Sequence, residues 1–526
     1  MIYFLIAFSL VALAMHFKLR GRSGAAARLP PGPVPLPILG SLMDLPPEGE
    51  AEFQHWLKFK DKYGPISSIT VLGQTMIILH DKQAAFDILE KTASKSSSRP
   101  RFDFAAMCGF DRFMAFKNYD SDWRQQRKMV HQQLGTKKLA ERFNDVQDVE
   151  SRRFILNVAK APQALIQHIK TEAAAIILKI TYGYAIHQHQ PDPLVLLIEE
   201  MMSNLSKAQT PSYWMVDLIP ALKSLPAWLP GMGFKAKAAS WRKTNTRVED
   251  VPFAFVQGQM AKNVHRSSYV SKQIELNVQN NEATMGSETE SAIKRTAAIM
   301  YAGGADTTVC VLSAFILAMT MYPDVQRKAQ KEIDTVVGLD RLPGLQDRDQ
   351  LPYVSAIVKE ALRWFPVTPM GVPHSTDDDI HYREYIIPKG SIILFSTWWF
   401  QNDLEVYANP AAFEPERFLA PRNEPDPVTT VFGHGRRICP GKEVADMSLF
   451  WTISRILAVL DIRKAVDEAG QPMEAKLRFT SGVVSHPEEF PFDIVTRSSA
   501  HAKLVEEIEK NLPQETGDHI FLNFKA

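Results

Sequence analysis

The sequence is poor in cysteine and has almost no net charge. Three cysteines occur in 526 residues, too few for the disulfide framework that stabilises many small secreted proteins. We therefore expect the folded part of the chain to face a reducing compartment. The 60 basic residues balance the 59 acidic ones to a net charge of +1, so no excess of positive charge indicates a nucleic-acid partner.

One apolar run opens the chain at residues 1–17, where Ser9 and His16 are the polar residues. As a helix it would reach about 26 Å, close to the ~30 Å of a membrane's hydrocarbon core. Basic residues follow from Lys18 onward and, by the positive-inside rule, leave the rest of the chain in the cytosol. We predict a transmembrane anchor at residues 1–17. A cleaved signal peptide is the alternative, although basic residues would then precede the apolar run.

The rest of the chain divides into three parts by composition. Residues 18–36 are basic and proline-rich, which predicts a stiff linker. Residues 37–498 are predicted to form a large folded domain, and residues 499–526 a polar tail. The hairpin signal between residues 66 and 79 and many helical stretches indicate a mainly α fold with small β-sheets. Residues 225–234 are apolar and bounded by prolines, which predicts either a packed loop or a second membrane contact.

Residues 432–441 read Phe-Gly-His-Gly-Arg-Arg-Ile-Cys-Pro-Gly and predict a rigid loop that presents one sulfur atom. The glycines permit a tight bend, and the proline fixes its own backbone angle. Cys439 would enter the helix that follows, where the helix dipole and nearby Arg436, Arg437 and Lys442 favour a thiolate. The simpler interpretation is a buried structural cysteine beside a turn.

A long apolar helix is predicted from residue 287 to residue 321, with a capping box at its start and a polar defect in its middle. Gly303 and Gly304 destabilise a helix interior by about 0.5–1 kcal/mol each relative to alanine. Close packing between helices would explain the two glycines. It would not explain the polar residues Asp306, Thr307 and Thr308, which indicate a functional site.

Two weaker patterns lie on other helices. Trp123 and Arg127 are four residues apart on a helix predicted to begin with Ser121 as its cap, and such pairs are usually surface cation–π contacts. Glu360 and Arg363 have the spacing of an ordinary surface ion pair. Neither pattern indicates a function by itself.

These motifs together resemble the cytochrome P-450 family, most closely its membrane-anchored fungal members of secondary metabolism. The resemblance implies a triangular prism of helices, with haem b held between the long helix and the cysteine loop, and makes residues 37–498 the haem-thiolate catalytic domain. It also implies a role for individual residues. Cys439 would be the axial iron ligand, with Trp123, Arg127, His374, Phe432 and Arg437 as further haem-binding residues. Asp306 would be the acid and Thr307 the hydroxyl of a proton relay to bound dioxygen. A buried structural network would consist of Glu360, Arg363 and Arg417. The substrate pocket would include Val367, Met370, Val372 and Val483.

The implied activity is monooxygenation, that is, hydroxylation or epoxidation of a small lipophilic metabolite such as a terpenoid, polyketide or alkaloid-like compound. No Gly-x-Gly-x-x-Gly motif or flavin-domain extension is apparent, so we expect the electrons of NADPH to come from a separate NADPH–cytochrome P-450 reductase, with cytochrome b5 as a second candidate donor. The anchor implies the endoplasmic-reticulum membrane. Two alternatives stay open here: an isomerase or dehydratase of the same fold, and a non-enzymatic, membrane-tethered haem-binding protein. The basic residues Arg124, Lys128, Lys137, Lys138 and Lys442 are candidates for the surface that docks the reductase.

Overall fold

The structure is a computed structural model that describes residues 28–47, 49–187, 190–209, 213–279 and 286–524. The predicted anchor at residues 1–17, and the linker as far as residue 27, lie outside the described residues.

Helices dominate the described chain. In its first half they are α1 (Glu52–Tyr63), α2 (Lys82–Phe86), α3 (Ala93–Ser96), α4 (Asp103–Cys108), α5 (Ser121–Leu134), α6 (Lys137–Ala140), α7 (Asn144–Lys160), α8 (Leu165–Tyr182), α9 (Pro193–Gln209), α10 (Met215–Leu218) and α11 (Gly233–Ala261). In its second half they are α12 (Tyr269–Gln279), α13 (Ser287–Met321), α14 (Pro323–Val336), α15 (Pro352–Trp364), α16 (Thr397–Asn402), α17 (Val428–Val431), α18 (Lys442–Val459) and α19 (Ser499–Asn511).

Eight strands form three small sheets among the described residues. They are β1 (Ile66–Val71), β2 (Gln74–Leu79), β3 (His374–Ser375), β4 (Ile380–Tyr382), β5 (Tyr385–Ile387), β6 (Ile392–Phe395), β7 (Leu460–Arg463) and β8 (Asp493–Thr496). The largest sheet has the order β1-β2-β6-β3, in which β2 and β6 are parallel and the other pairs antiparallel. The predicted hairpin is confirmed as β1 and β2, and the mainly α class with small sheets is confirmed as a whole.

Helix α13 runs through the core and has the predicted bounds. Among the described residues it is the one helix long and apolar enough to cross a membrane, but two-thirds (67%) of its most apolar window is buried inside the fold. Its predicted capping box is wrong. The N-cap is Gly286, one residue before the pattern, and the Glu290 carboxylate pairs with Lys294 at 2.7 Å instead of returning to the cap.

The prediction of Ser121 as a helix cap is also wrong by one residue. Asp120 has extended backbone angles, and its carboxylate accepts a hydrogen bond from the Trp123 amide at 2.7 Å. Ser121 is therefore the first helical residue of α5. Aspartate and serine are equally good N-caps, so composition alone does not choose between neighbours.

The segment after β2 is less regular than one helix. Helix α2 is capped by Asp81, and then a π-helical turn spans Asp87–Lys91 before α3. The amide of Thr92 donates to the carbonyl of Asp87, five residues earlier, at 3.2 Å. Turns of this type are rare and often accompany functional sites.

Residues 499–524, predicted as a polar tail, pack against the body of the fold. Helix α19 buries Leu504, Val505 and Ile508, which lie on one face, against α7 and α18. Beyond it, Glu515 pairs with Lys179 at 2.6 Å. The apolar face of α19 consists of only three residues, so the polar composition of this segment did not indicate it.

Candidate active site

The cysteine loop is a tight turn that depends on two left-handed glycines. Gly433 and Gly435 have φ angles of +82° and +55°. A Cβ atom at Gly435 would lie 2.4 Å from the carbonyl oxygen of Leu89, so the loop touches the π-helical turn backbone to backbone. The Cys439 amide donates to the Phe432 carbonyl at 2.8 Å and closes the loop just before α18 begins.

Cys439 differs from the other two cysteines in its surroundings. Its side chain is half-buried, whereas Cys108 and Cys310 are fully buried. Burial raises the pKa of Cys108 to about 12, and Cys310 donates its S–H to the Ser485 carbonyl at 2.9 Å. Burial raises the pKa of the Cys439 thiol, and the Gly441 amide and the charges of Arg127 and Lys442 offset only part of that rise. Arg127 and Lys442 act in the direction that favours the thiolate, which is the form that a metal binds.

Two arginines converge beside this loop without an acidic partner. Burial and the charge of Arg127 lower the pKa of Arg437 to about 9, so the two cations act on each other. The charges of Asp120 and Asp377 act on Arg437 from a distance, but in the described part of the chain no carboxylate lies within ion-pair distance of either guanidinium. Arg437 donates instead to the carbonyls of Ser97 at 2.6 Å and Lys117 at 2.6 Å. Two desolvated cations without a carboxylate fit an anionic ligand such as the propionates of haem.

Two of the other predicted haem-binding residues, Trp123 and His374, lie near Arg437. The Arg437 guanidinium stacks over the Trp123 ring at 4.5 Å, and the Trp123 indole N–H donates to the Met114 carbonyl at 3.1 Å. His374 is buried at the start of β3 with Nδ1 2.7 Å from the Ser96 carbonyl oxygen. Phe432 is half-buried and packs on the core at the start of the cysteine loop.

The middle of α13 is partly exposed, although both flanking segments are buried. The two glycines there have different surroundings. A Cβ at Gly304 would lie 2.7 Å from the Ile177 side chain on α8, so this glycine serves helix packing. A Cβ at Gly303 would meet nothing within 4 Å. Packing therefore accounts for Gly304 and leaves Gly303 facing open space.

The two predicted relay residues follow these glycines. Thr307 donates its hydroxyl to the Gly303 carbonyl at 2.7 Å, one turn earlier. The Oδ1 atom of Asp306 lies 3.2 Å from Nε2 of His486, a residue that the sequence did not single out. His486 follows the turn at residues 479–484, which we call the substrate-contact turn because it contains the predicted pocket residue Val483. That adjacency was the only signal available for His486. The neighbouring Ser485 amide donates to the Val367 carbonyl at 2.9 Å, which ties the turn to the predicted pocket.

The four predicted pocket residues fall into two groups. Val367, Val372 and Val483 are half-buried, whereas Met370 is buried in a core cluster that includes Ile78. The backbone there is tightly packed, because a Cβ at Gly371 would lie 2.2 Å from the Phe395 ring. The buried Arg99, also not singled out by the sequence, holds this stretch through hydrogen bonds of 2.7 Å from Nη1 to the carbonyls of Val372 and Pro373.

Glu360, Arg363 and Arg417 come together in one fully buried network. The Glu360 carboxylate accepts from Arg363 at 2.7 and 2.8 Å and from Arg417 at 3.0 Å, and all three side chains have zero exposure. Arg417 also donates to Glu424 at 2.7 Å, and Glu424 accepts from Arg422 as well, at 2.9 Å. Both guanidinium groups lie over the ring of Tyr407. Glu424 and Tyr407 were not identified from the sequence.

Four features together define the class of haem-thiolate oxygenases. The fold is mainly helical, a half-buried cysteine lies in a glycine loop, two cations lie beside it, and a long helix has a polar defect. Comparison with known proteins agrees. The Cytochrome P-450 family profile matches residues 30–492, and the chain belongs to this family. Its cofactor is haem b with a cysteine thiolate ligand, and its electrons come from NADPH through a reductase.

Three relatives indicate the branch of the family. The chain is 48% identical to the cytochrome P-450 monooxygenase CLM2 of Gibberella zeae over 93% of both chains. It is 46% identical to the multifunctional cytochrome P-450 monooxygenase af510 of Aspergillus fumigatus over 96% of this chain and 94% of the relative. It is 36% identical to the O-methylsterigmatocystin oxidoreductase of Aspergillus flavus over 98% of this chain and 97% of the relative. The chain is therefore a haem-thiolate monooxygenase that resembles fungal enzymes of secondary metabolism, as predicted.

Proposed function

We propose that Cys439 is the axial ligand of this monooxygenase, and that Arg127, Arg437 and His374 bind the haem propionates. The observation that carries the proposal is the half-buried Cys439 beside two guanidinium groups without a carboxylate partner. The bound haem supplies the oxidising chemistry: it activates dioxygen and inserts one oxygen atom into the substrate.

Asp306 and Thr307 move protons in this proposal. The Thr307 hydroxyl is held by the Gly303 carbonyl and can turn its proton towards the open space beside Gly303. The Asp306 carboxyl is about a quarter exposed (26%) and can receive protons from solvent and from His486. A positioned proton donor of this kind contributes typically about 10²–10⁴-fold to a rate.

Glu360, Arg363 and Arg417 hold the fold around the cofactor and take no part in the chemistry. Their charges are buried, and every oxygen of Glu360 accepts at least one hydrogen bond. Such a network is rigid only while it is complete.

The substrate in this proposal is a small lipophilic terpenoid, polyketide or alkaloid-like metabolite. Val367, Val372 and Val483 offer apolar, half-buried surface that suits such a substrate. The test is expression with an NADPH–cytochrome P-450 reductase and mass analysis of a panel of such metabolites. A product heavier by one oxygen, dependent on NADPH and lost in Cys439→Ala, supports the proposal. Conversion without NADPH would indicate the isomerase or dehydratase chemistry instead.

The same proposal places the enzyme on the endoplasmic-reticulum membrane, with the anchor at residues 1–17 and a second contact near residues 225–234. Trp228 is 80% exposed and Leu225 is 40% exposed, with Lys223 and Lys235 close by. An aromatic residue flanked by lysines suits the membrane interface. In a protein that lacks residues 1–27, Trp228→Glu should weaken vesicle binding. Leu404→Glu is the matched control, because Leu404 is 73% exposed outside this region. Equal binding by both variants would contradict the second contact.

The electron donor in this proposal is an NADPH–cytochrome P-450 reductase in the same membrane, with cytochrome b5 as a second donor. Arg124, Lys128, Lys137 and Lys138 are exposed and Lys442 is half-buried beside the cysteine loop. Positive charges on this face would steer an acidic partner and make its association depend on salt. Reversing Lys137 and Lys138 to glutamate should slow reduction by the reductase without changing haem content.

A further inference from the structure

One short segment, residues 87–98, contacts three parts of the candidate haem site. We call it the bridging segment. Glu90 Oε1 lies 3.0 Å from His434 Nδ1 in the cysteine loop. The Ser96 carbonyl oxygen lies 2.7 Å from His374 Nδ1, and the Ser97 carbonyl accepts from Arg437 Nε at 2.6 Å. Ser96 and Ser97 make their contacts through backbone carbonyls, which any residue could provide. The contact of Glu90 with His434 is made by its side chain and therefore depends on the identity of this residue.

His434 is buried inside the cysteine loop with one polar contact. Its side chain is 2% exposed and lies edge-on to the rings of Phe395 and Phe400, at centroid distances of 5.1 and 6.5 Å. Its Nε2 has no hydrogen-bond partner in the described part of the chain. Since Glu90 presents a carboxylate, which only accepts, Nδ1 must carry the proton and donate it. Burial lowers the pKa of His434, which favours the neutral imidazole.

The π-helical turn brings Glu90 to this position. Helix α2 changes at Asp87 to hydrogen bonds that span five residues, and this spacing turns side chains to directions that a regular helix would not give them. The adjacent Leu89 carbonyl oxygen is the atom that would meet a Cβ at Gly435. The turn therefore approaches the loop at two neighbouring residues, by backbone at Leu89 and by side chain at Glu90.

The loop needs such an anchor because of its glycines. Gly433 and Gly435 permit the left-handed turn, but residues without a Cβ also leave the backbone free to adopt other conformations. His434 is the residue between them. The partly buried hydrogen bond from His434 to Glu90 fixes both glycines and, through the Phe432 to Cys439 backbone bond, the direction of the sulfur.

We propose that Glu90 and His434 are positioning residues that hold the Cys439 loop in the conformation that keeps its sulfur on the haem iron. This rests on the proposed role of Cys439 as the ligand. Neither residue touches the reacting atoms in this account. Their contribution is to prevent the loop from relaxing into a form in which the thiolate is protonated or displaced.

The test is the reduced carbon monoxide difference spectrum of the full-length haem protein. The position of the main band in this spectrum distinguishes thiolate-ligated haem from haem that has lost the thiolate. Glu90→Ala leaves the buried Nδ1 donor unpaired, and His434→Leu fills the same apolar site without a donor. Each should shift the ratio of the thiolate-lost to the thiolate-ligated form about tenfold, the factor that a hydrogen bond to a charged group is worth. The double variant should shift it no further than either single one, because both remove the same contact.

Conservative variants and a matched pair separate positioning from simple loss of stability. Glu90→Gln keeps an acceptor oxygen, and His434→Asn keeps a donor near the position of Nδ1, so both should keep most of the thiolate-ligated form. His265 and Glu275 form a histidine–glutamate contact of 3.3 Å on the surface, and Glu275→Ala should leave the spectrum unchanged. The haem content and thermal midpoint of each variant show whether it folds.

The outcomes are distinguishable. A wild-type protein without the thiolate band would overturn the role of Cys439 and this inference with it. A wild-type protein with that band, together with Glu90→Ala and His434→Leu variants whose spectra match Glu275→Ala, would overturn the positioning role alone. Conservative variants as damaged as Glu90→Ala would also contradict it, because their hydrogen bond is retained.

Discussion

Asp306 on the long helix α13 and His486 at the end of the substrate-contact turn lie 3.2 Å apart, Oδ1 to Nε2. The two residues are 180 positions apart in the sequence, and both are about a quarter to a third exposed, at 26% and 30%. The backbone amide of His486 donates to the Thr480 hydroxyl at 2.9 Å, which fixes the histidine within the turn. The acid of the proposed proton relay is thus attached to the part of the chain expected to touch substrate.

We predict that Asp306→Asn lowers the rate of product formation by about 10²–10⁴-fold, because the amide cannot carry a proton in place of the carboxyl. His486→Phe should have a smaller effect of the same kind, roughly tenfold, since it acts through Asp306. The measurement is steady-state turnover with reductase and NADPH. His486→Gln, which keeps a donor near Nε2, is the control. Additive losses in the Asp306→Asn/His486→Phe double variant would show that the two residues act independently.

Thr307→Ala should release more hydrogen peroxide for each NADPH consumed and form less product. The Thr307 hydroxyl donates to the Gly303 carbonyl beside open space, and alanine has no proton to transfer. Thr307→Ser keeps the hydroxyl and should stay well coupled. The ratio of peroxide to NADPH checks this. Unchanged coupling in Thr307→Ala would remove Thr307 from the relay.

The adjacent glycines of α13 provide an internal comparison. Gly304→Ala should destabilise the protein by about 1 kcal/mol, because overpacking against Ile177 typically costs about 1–3 kcal/mol and the gain in helix propensity offsets up to about 1 kcal/mol. Gly303→Ala adds a methyl group to open space, so it should leave the thermal midpoint equal or higher while altering ligand-binding spectra. The double variant Gly304→Ala/Ile177→Ala tests the clash. If the Ile177 side chain causes the clash, Gly304→Ala should destabilise the Ile177→Ala protein less than it destabilises the wild-type protein.

Glu360→Ala should give little or no haem-containing protein. It removes the carboxylate shared by two buried arginines, and breaking a buried charge network in this way costs roughly 3–5 kcal/mol. The exposed pair Asp324 and Arg327 has the same i, i+3 spacing, so Asp324→Ala is the matched control with an expected loss below about 0.5 kcal/mol. Haem content and the free energy of unfolding are measured. Normal haem content in Glu360→Ala would contradict the structural role.

The parts of the fold that the sequence predicts correctly are local. The hairpin β1–β2 depends on a turn between alternating residues, and the bounds of α13 depend on one apolar run that ends before Pro323. The error of one residue at Ser121 arises because its neighbour Asp120 is an equally good cap. The error at Ser287 is also one residue, although its neighbour Gly286 is a weaker cap, and helix ends are commonly uncertain by that much. The apolar face of α19 was missed because most of its residues are polar.

The site divides in the same way. Cys439 and the two glycines that shape its loop belong to one continuous motif and could be identified from it. His434 could be read in that motif, but its partner Glu90 lies 344 residues earlier, and a single sequence gives no sign of such a contact. His486, Arg99 and Glu424 were missed for the same reason, because their roles come from side chains that only the folded chain brings together.

The central claim is that Cys439 is the thiolate ligand of the haem, and one spectrum tests it most directly. The reduced carbon monoxide difference spectrum of the wild-type protein should show the band of thiolate-ligated haem. Cys108→Ala, which changes a fully buried cysteine away from the loop, should keep that band, and Cys439→Ala should lose it. A Cys439→Ala protein that retains the thiolate band would contradict the account.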